Sequence, residues 1–198
     1  MPDKFIKICG LTNYSDAKAA FEAGADYLGF ILIPGARRAI DKAEFDKIAF
    51  GKKAGVFLNA PIDYVLSFKL DVIQLHGTES EEYIAELRSK TTCEIWKALP
   101  VVDKESFAFA RSAYQGLTLL ADGEKGGRPC DRVLAGELSR IRPTILAGGL
   151  TPESVGEAIA LGDPVGVDVA GGVESAIDPR KKDIDKIKAF IKEARKNL

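Results

Sequence analysis

Two glycine turns near the C-terminus carry the clearest chemical signal in the chain: Leu146-Ala147-Gly148-Gly149-Leu150-Thr151-Pro152 and Val167-Asp168-Val169-Ala170-Gly171-Gly172-Val173-Glu174. Each follows a short aliphatic run and precedes a helix-like segment. Successive glycines have no Cβ to hold a ligand away, so their backbone N–H groups can converge on an oxyanion such as phosphate. Other residues suited to chemistry are few. His76 is the only histidine among 198 residues, which argues against a His-based metal cluster and against a Ser-His-Asp hydrolase. Cys9, Cys93 and Cys130 are odd in number and lack a CxxC spacing, so they indicate neither a disulfide framework nor a zinc site. Acid–base work therefore falls to Cys, Asp, Glu or Lys, and no metal is called for.

The elements that must position these residues alternate regularly. Eight apolar runs recur: 5–9, 27–33, 54–58, 72–76, 94–99, 117–122, 144–147 and 165–170. Runs this short and this rich in Val, Ile and Leu read as strands buried on both faces. Helix signals lie between them. The alanine-rich stretch 15–23 is amphipathic and stops at Gly24; Thr78 with Glu81 reads as a capping box; Thr151-Pro152 reads as a cap before a first-turn proline. Residues 183–196 predict a terminal helix with Ile184, Ile187, Phe190 and Ile191 on one face. Strict β-then-α alternation implies parallel strands with right-handed crossovers, and eight units favour a closed barrel over an open sheet. The expectation is one α/β domain over residues 1–198, a trimmed (β/α)8 TIM barrel below the ~250 residues typical of that fold. In such a barrel the two glycine turns fall after strands 7 and 8, where the fold commonly binds phosphate, so the expected ligand is a sugar phosphate.

Composition sets further bounds. Hydrophobic content of 46% with 29% charged residues is ordinary for a globular domain, and a net charge of -1 leaves no footprint for nucleic acid. No apolar run reaches the ~20 residues that span a bilayer, and the N-terminus enters a strand pattern without a signal-peptide core. Cytoplasmic location is the expectation.

Strand alternation puts Phe5, Lys7 and Cys9 on one face, with Cys9 last before a glycine. Read alone, Cys9 is a small core thiol; at the C-terminal end of a barrel strand it sits on the catalytic rim if that face is the lumen. Asp122 ends its strand in the same way and reads either as a turn cap or as a rim carboxyl whose pKa burial would raise. Arg38 is either a solvated arginine or a planar fork for a carboxylate, and His76 reads as a hydrogen-bonded rim residue in contact with substrate. Lys7 and Asp168 should meet inside the lumen, where strands 1 and 8 become neighbours on closure. Trp96, in the fifth run, reads as packing.

Several segments are together diagnostic: Ile6-Lys7-Ile8-Cys9-Gly10-Leu11-Thr12, Pro34-Gly35-Ala36-Arg37-Arg38-Ala39-Ile40, Gln74-Leu75-His76-Gly77 and the two glycine turns. With them the chain resembles phosphoribosylanthranilate isomerase from its first strand to its last helix. The resemblance implies an Amadori rearrangement in tryptophan biosynthesis, without a cofactor. N-(5'-phosphoribosyl)anthranilate is opened and rearranged to 1-(2-carboxyphenylamino)-1-deoxyribulose 5-phosphate. It implies Cys9 as general base, Asp122 as general acid, Arg38 on the anthranilate carboxylate and His76 lining the site. Gly148, Gly149, Gly171 and Gly172 are expected to hold the phosphate, with Lys7 and Asp168 in support. The only expected partner is the small-molecule substrate, and the family is compatible with a monomer or a homodimer. One segment departs from the family pattern. The loop 123–132 is shorter than usual and lacks an aromatic pair, so it should cover the substrate less well, with Arg128 reaching an anionic group in compensation. That departure supports one alternative, a degenerate phosphate-binding barrel serving as a ligand-binding or interaction module; another ribose-phosphate barrel enzyme is a separate alternative.

Overall fold

A computed structural model describes residues 4–124 and 126–198. The strands are β1 (Phe5–Ile8), β2 (Tyr27–Ile31), β3 (Lys52–Phe57), β4 (Val72–Leu75), β5 (Glu94–Pro100), β6 (Thr118–Asp122), β7 (Thr144–Leu146) and β8 (Gly166–Val169). Between and after them run α1 (Tyr14–Glu22), α2 (Lys42–Phe45), α3 (Ile62–Leu66), α4 (Glu81–Lys90), α5 (Lys104–Ser112), α6 (Arg132–Ile141), α7 (Val155–Ala160) and α8 (Ile184–Asn197). A short 3-10 turn covers Gly171–Val173. All neighbouring strands pair in parallel, and β8 returns to β1 with Lys7 opposite Asp168, which closes the barrel. The (β/α)8 expectation holds, with α2 and α3 reduced to about one turn each.

Two apolar layers hold it together, one between sheet and helices and one inside the barrel. The inner layer contains Trp96, Ala54, Val72, Ala98, Leu120, Ile145 and Ala147. Its lower end is an aromatic plug: Phe5 stacks on Trp96 at 5.1 Å, and Tyr27 meets both rings edge-on at 5.0 Å. Trp96 is fully buried packing, as its strand position implies. These rings fill the N-terminal end of the lumen, and His76 and Asp122, at the C-terminal ends of β4 and β6, line the cavity at the opposite mouth.

Helix starts differ from the sequence reading in two places. The cap of α4 is Ser80, whose hydroxyl accepts from the Tyr83 N–H; Thr78 instead donates its N–H and hydroxyl to Asn59 Oδ1. Tertiary contact with the preceding βα loop took Thr78 out of the helix. Likewise α7 starts at Val155 after Ser154, and Pro152 lies in the turn ahead of it, because the Thr151 carbonyl accepts from both Ser154 and Val155 N–H groups. In α8, Ile187, Phe190 and Ile191 are buried as expected, but Ile184, in the first turn, is exposed.

The turn after β4 that carries His76 is pinned from beneath by a buried ion pair. Lys97 Nζ lies 3.1 Å from Glu79 Oε2 and donates to the Gly77 carbonyl at 2.6 Å. Glu79 in turn accepts from the N–H groups of Asn59 and Gly77. With both side chains sealed from water, removing one partner strands the other charge. Lys97→Met should therefore cost about 3–5 kcal/mol of stability, while a Lys97→Met/Glu79→Leu double variant should lose markedly less. Urea unfolding of the two variants checks both the magnitude and the order.

Candidate active site

The floor of the C-terminal mouth is built at the β1–β8 seam. Lys7 Nζ and Asp168 Oδ2 are 3.0 Å apart, with both side chains buried. Asp168 Oδ1, also sealed from solvent, has no hydrogen-bond partner among the described residues. Cys9 follows one step above, its N–H donating to the Val169 carbonyl and the residue buried. On the adjoining strand Gly29 makes room for both. A Cβ there would lie 2.8 Å from Cys9 Sγ and 2.8 Å from Lys7 Cε, so a larger residue would collide with the thiol. Burial pushes the Cys9 thiol up and the Lys7 ammonium pulls it back only in part, so the resting group is a neutral thiol. Burial also works against the Lys7 charge, but Asp168 and Cys9 outweigh it and hold the ammonium above its usual value.

Asp122 enters from the end of β6. Its Oδ1 accepts the Gly123 N–H at 2.7 Å, and its Oδ2 lies 3.6 Å from His76 Nε2, too long for a direct hydrogen bond. Burial raises the Asp122 carboxyl, more strongly than a charge on His76 lowers it. Burial likewise depresses the His76 imidazolium. Both shifts favour the same arrangement, a protonated carboxyl beside a neutral imidazole. Gly148 keeps this corner open: its φ is +74°, and a Cβ there would sit 3.1 Å from Asp122 Oδ1 and 2.6 Å from Cys130 Cβ.

Arg38, His76 and Asp122 line a cavity of about 850 Å³ whose apolar walls include Ile31, Leu58 and Leu99. A second, of about 370 Å³, continues from His76 and Asp122 to Gly148 and Gly149. Among the described residues, the Gly148 and Gly149 amides donate to no protein acceptor. Gly171 and Gly172 line neither cavity. Their turn is packed against the β7 loop so closely that a Cβ on Gly172 would fall 2.0 Å from the Leu150 carbonyl oxygen. The two glycine turns are thus neighbours in space, as their spacing implied, and Gly172 serves their contact. Cys9 lies beneath the cavities and lines neither of them.

Three polar residues of this region are absent from the sequence reading. Glu174 receives the Arg38 Nε hydrogen bond, and Lys182 Nζ lies 4.0 Å from the same carboxylate while donating to the Ala170 carbonyl. Glu79 buttresses the His76 turn. All three look like solvated charges in sequence, since nothing local marks a surface-type residue as buried. Arg128, expected to reach an anion of the ligand, turns instead to Asp103 at 2.6 Å and Glu124 at 2.7 Å, tying the short loop to the start of α5. Hydrogen bonds from Ser106 and Arg128 hold the Asp103 carboxyl at about 2. Cys130 is a buried residue next to the α6 cap Asp131, and burial pushes its thiol up to about 12.

Comparison with known proteins decides the family. The model for N-(5'phosphoribosyl)anthranilate (PRA) isomerase matches residues 6–193. The chain belongs to this family. A relative from Paracoccus denitrificans, N-(5'-phosphoribosyl)anthranilate isomerase, is 39% identical over 209 residues, covering 96% of each chain. The crystal structure of phosphoribosyl anthranilate isomerase from Thermotoga maritima superposes with a TM-score of 0.87 at 34% identity, covering 98% of this chain and 99% of its own. A phosphoribosyl anthranilate isomerase in complex with reduced 1-(o-carboxyphenylamino)-1-deoxyribulose 5-phosphate superposes with a TM-score of 0.86 at 34% identity, with the same coverage.

Two outcomes follow from the electrostatics of this isomerase-family site. Native protein treated with iodoacetamide at neutral pH should modify Cys9 and Cys130 more than about tenfold slower than the urea-unfolded chain does, because both thiols are buried and their pKa values raised. Peptide mass spectrometry reads this directly. Asp122 binds its proton more tightly folded than unfolded, so its contribution to stability falls as pH rises above the unfolded carboxylate value. Asp122→Asn should therefore unfold at a higher temperature than the parent at pH 7, with the advantage vanishing near pH 3, as followed by thermal melts across pH.

Proposed function

We propose that the chain isomerises N-(5'-phosphoribosyl)anthranilate to 1-(2-carboxyphenylamino)-1-deoxyribulose 5-phosphate, with Asp122 as general acid and Cys9 as general base. The observation that carries the reading is the pairing of a carboxyl whose pKa burial raises with a thiol beside a fixed ammonium, at the ends of β6 and β1 of one barrel mouth. The family match and the ligand named for its solved relative support the substrate class.

In the first step Asp122 gives its proton to the furanose ring oxygen as the C1'–O bond breaks and the anilino nitrogen lone pair forms a C=N bond. The product is a cationic iminium. Its charge favours the thiolate of Cys9, which the raised resting value otherwise disfavours, and Lys7 stabilises the same form. The thiolate then takes the proton from C2', and the resulting electron pair neutralises the iminium to give an enolamine. Tautomerisation moves a proton from the C2' hydroxyl to C1' and leaves the ketone. Proton removal from C2' returns Cys9 to its starting thiol, and the proton that the thiol gave up on ionising passes through water to reprotonate Asp122. Lys7 and Asp168 hold the thiol in place, Arg38 takes the anthranilate carboxylate, His76 borders the acid, and the amides of Gly148 and Gly149, with the adjacent Gly171–Gly172 turn, take the phosphate.

General acid or base groups commonly supply ~10²–10⁴-fold, so Cys9→Ala and Asp122→Asn should each lower kcat by that range. Affinity for the reduced product analogue should change much less. Stopped assays with calorimetry separate the two effects, and neither variant should rescue a tryptophan auxotroph that the parent gene rescues. Near-parental turnover in Cys9→Ala would remove Cys9 from the mechanism.

A further inference from the structure

The Arg38 side chain crosses the β1–β8 seam in a channel that glycines leave open. A Cβ on Gly10 would lie 2.9 Å from Arg38 Cδ, and one on Gly171 would lie 3.5 Å from its Nη2. At the far end the Glu174 carboxylate accepts from Arg38 Nε. Among the described residues, no protein group accepts from Nη1 or Nη2 of Arg38, so the outer edge of the guanidinium is left for a ligand while its inner edge is held. Arg38 itself lines the 850 Å³ cavity.

The mount of Glu174 is rigid and independent of substrate. Its backbone forms an antiparallel bridge with Lys182, flanked by hydrogen bonds from Ser175 to Lys181 and from Asp183 to Val173. Asp16 on α1 accepts the Lys182 N–H at 2.9 Å, and Lys186 on α8 donates to the Glu174 carbonyl at 3.0 Å. Three cations surround the single carboxylate: Arg38, Arg37 at 3.5 Å and Lys182 at 4.0 Å. Glu174 is 12% exposed, so its charge is screened little by water. Without it, Arg38 would lose both its anchor and the charge that keeps it from being repelled by its neighbours.

We propose that Glu174 is a positioning residue for recognition of the substrate's aryl carboxylate: it clamps Arg38 by Nε so that the Nη edge is presented, already ordered, to that carboxylate. The inference rests on the assignment of Arg38 to the carboxylate made above. A guanidinium fixed in advance loses less side-chain freedom on binding, and a planar two-donor contact depends on orientation.

The test uses calorimetry with two ligands, reduced 1-(o-carboxyphenylamino)-1-deoxyribulose 5-phosphate and the same compound lacking the ring carboxylate. Glu174→Ala should weaken binding of the first roughly tenfold and leave the second within about twofold. Glu174→Gln, which keeps an acceptor for Nε without the charge, should recover part of the loss. In an Arg38→Ala background, Glu174→Ala should add less than about twofold, since its effect passes through Arg38. In turnover the defect should appear in KM, with kcat little changed. Tighter binding by Glu174→Ala would show that Glu174 competes for Arg38 and would overturn the proposal. So would equal loss for both ligands, the mark of general damage to the pocket. If Arg38→Ala discriminates between the ligands and Glu174→Ala does not, the clamp alone fails. If parent and Arg38→Ala bind both ligands alike, the carboxylate assignment of Arg38 fails and the clamp with it.

Discussion

The Lys7–Asp168 ion pair is the constraint around which the site is organised. It sits where the last strand closes on the first, in the lumen and out of reach of water. An unpaired charge there would cost several kcal/mol, so each residue requires the other, and the pairing ties the β1–β8 register to the electrostatics. Cys9 rides on the same strand one side-chain step higher, next to an ammonium whose charge is already committed to Asp168. The thiol is consequently neither an inert core residue nor a permanent thiolate. It is held as a thiol, with burial opposing its ionisation and the neighbouring ammonium favouring it.

Apolar packing produces the complementary bias across the mouth. The aromatic plug of Phe5, Tyr27 and Trp96 closes the lower lumen and confines water to the C-terminal end. Asp122 and His76 stand at the edge of that dry region, and burial disfavours the charged form of each. The same desolvation that raises the Asp122 carboxyl therefore disfavours the charge on His76. One barrel interior drives two groups in opposite directions on the pH scale.

Glycine does a different job at each corner of the mouth. Gly29 clears space for the thiol, Gly148 for the carboxyl, Gly10 for the Arg38 stem and Gly172 for contact between the two terminal loops. Gly148 and Gly149 combine a left-handed backbone with amides that donate to no protein acceptor among the described residues. The ion pairs of Arg128 give the short loop after β6 a fixed attachment to α5.

The sequence by itself determined the alternation of strands and helices, hence the barrel, since buried parallel strands are written as short aliphatic runs and their punctuation is local. It also placed Cys9, Asp122, His76 and the glycine turns at strand ends, because side-chain alternation carries the face of each residue along a strand. Strand closure then made Lys7 and Asp168 neighbours, as alternation and eight-unit counting imply. Tertiary structure alone decided which charged residues are buried: Glu79, Lys97, Glu174 and Lys182 are surface types in any local reading, and only loops far apart in the chain enclose them. It also moved the start of α4 to Ser80 and turned Arg128 toward Asp103, because capping and pairing go to whichever partner the folded loops bring within hydrogen-bond range. Periodicity is a property of neighbouring residues and survives in the sequence; burial and partner choice depend on contacts across the barrel and do not.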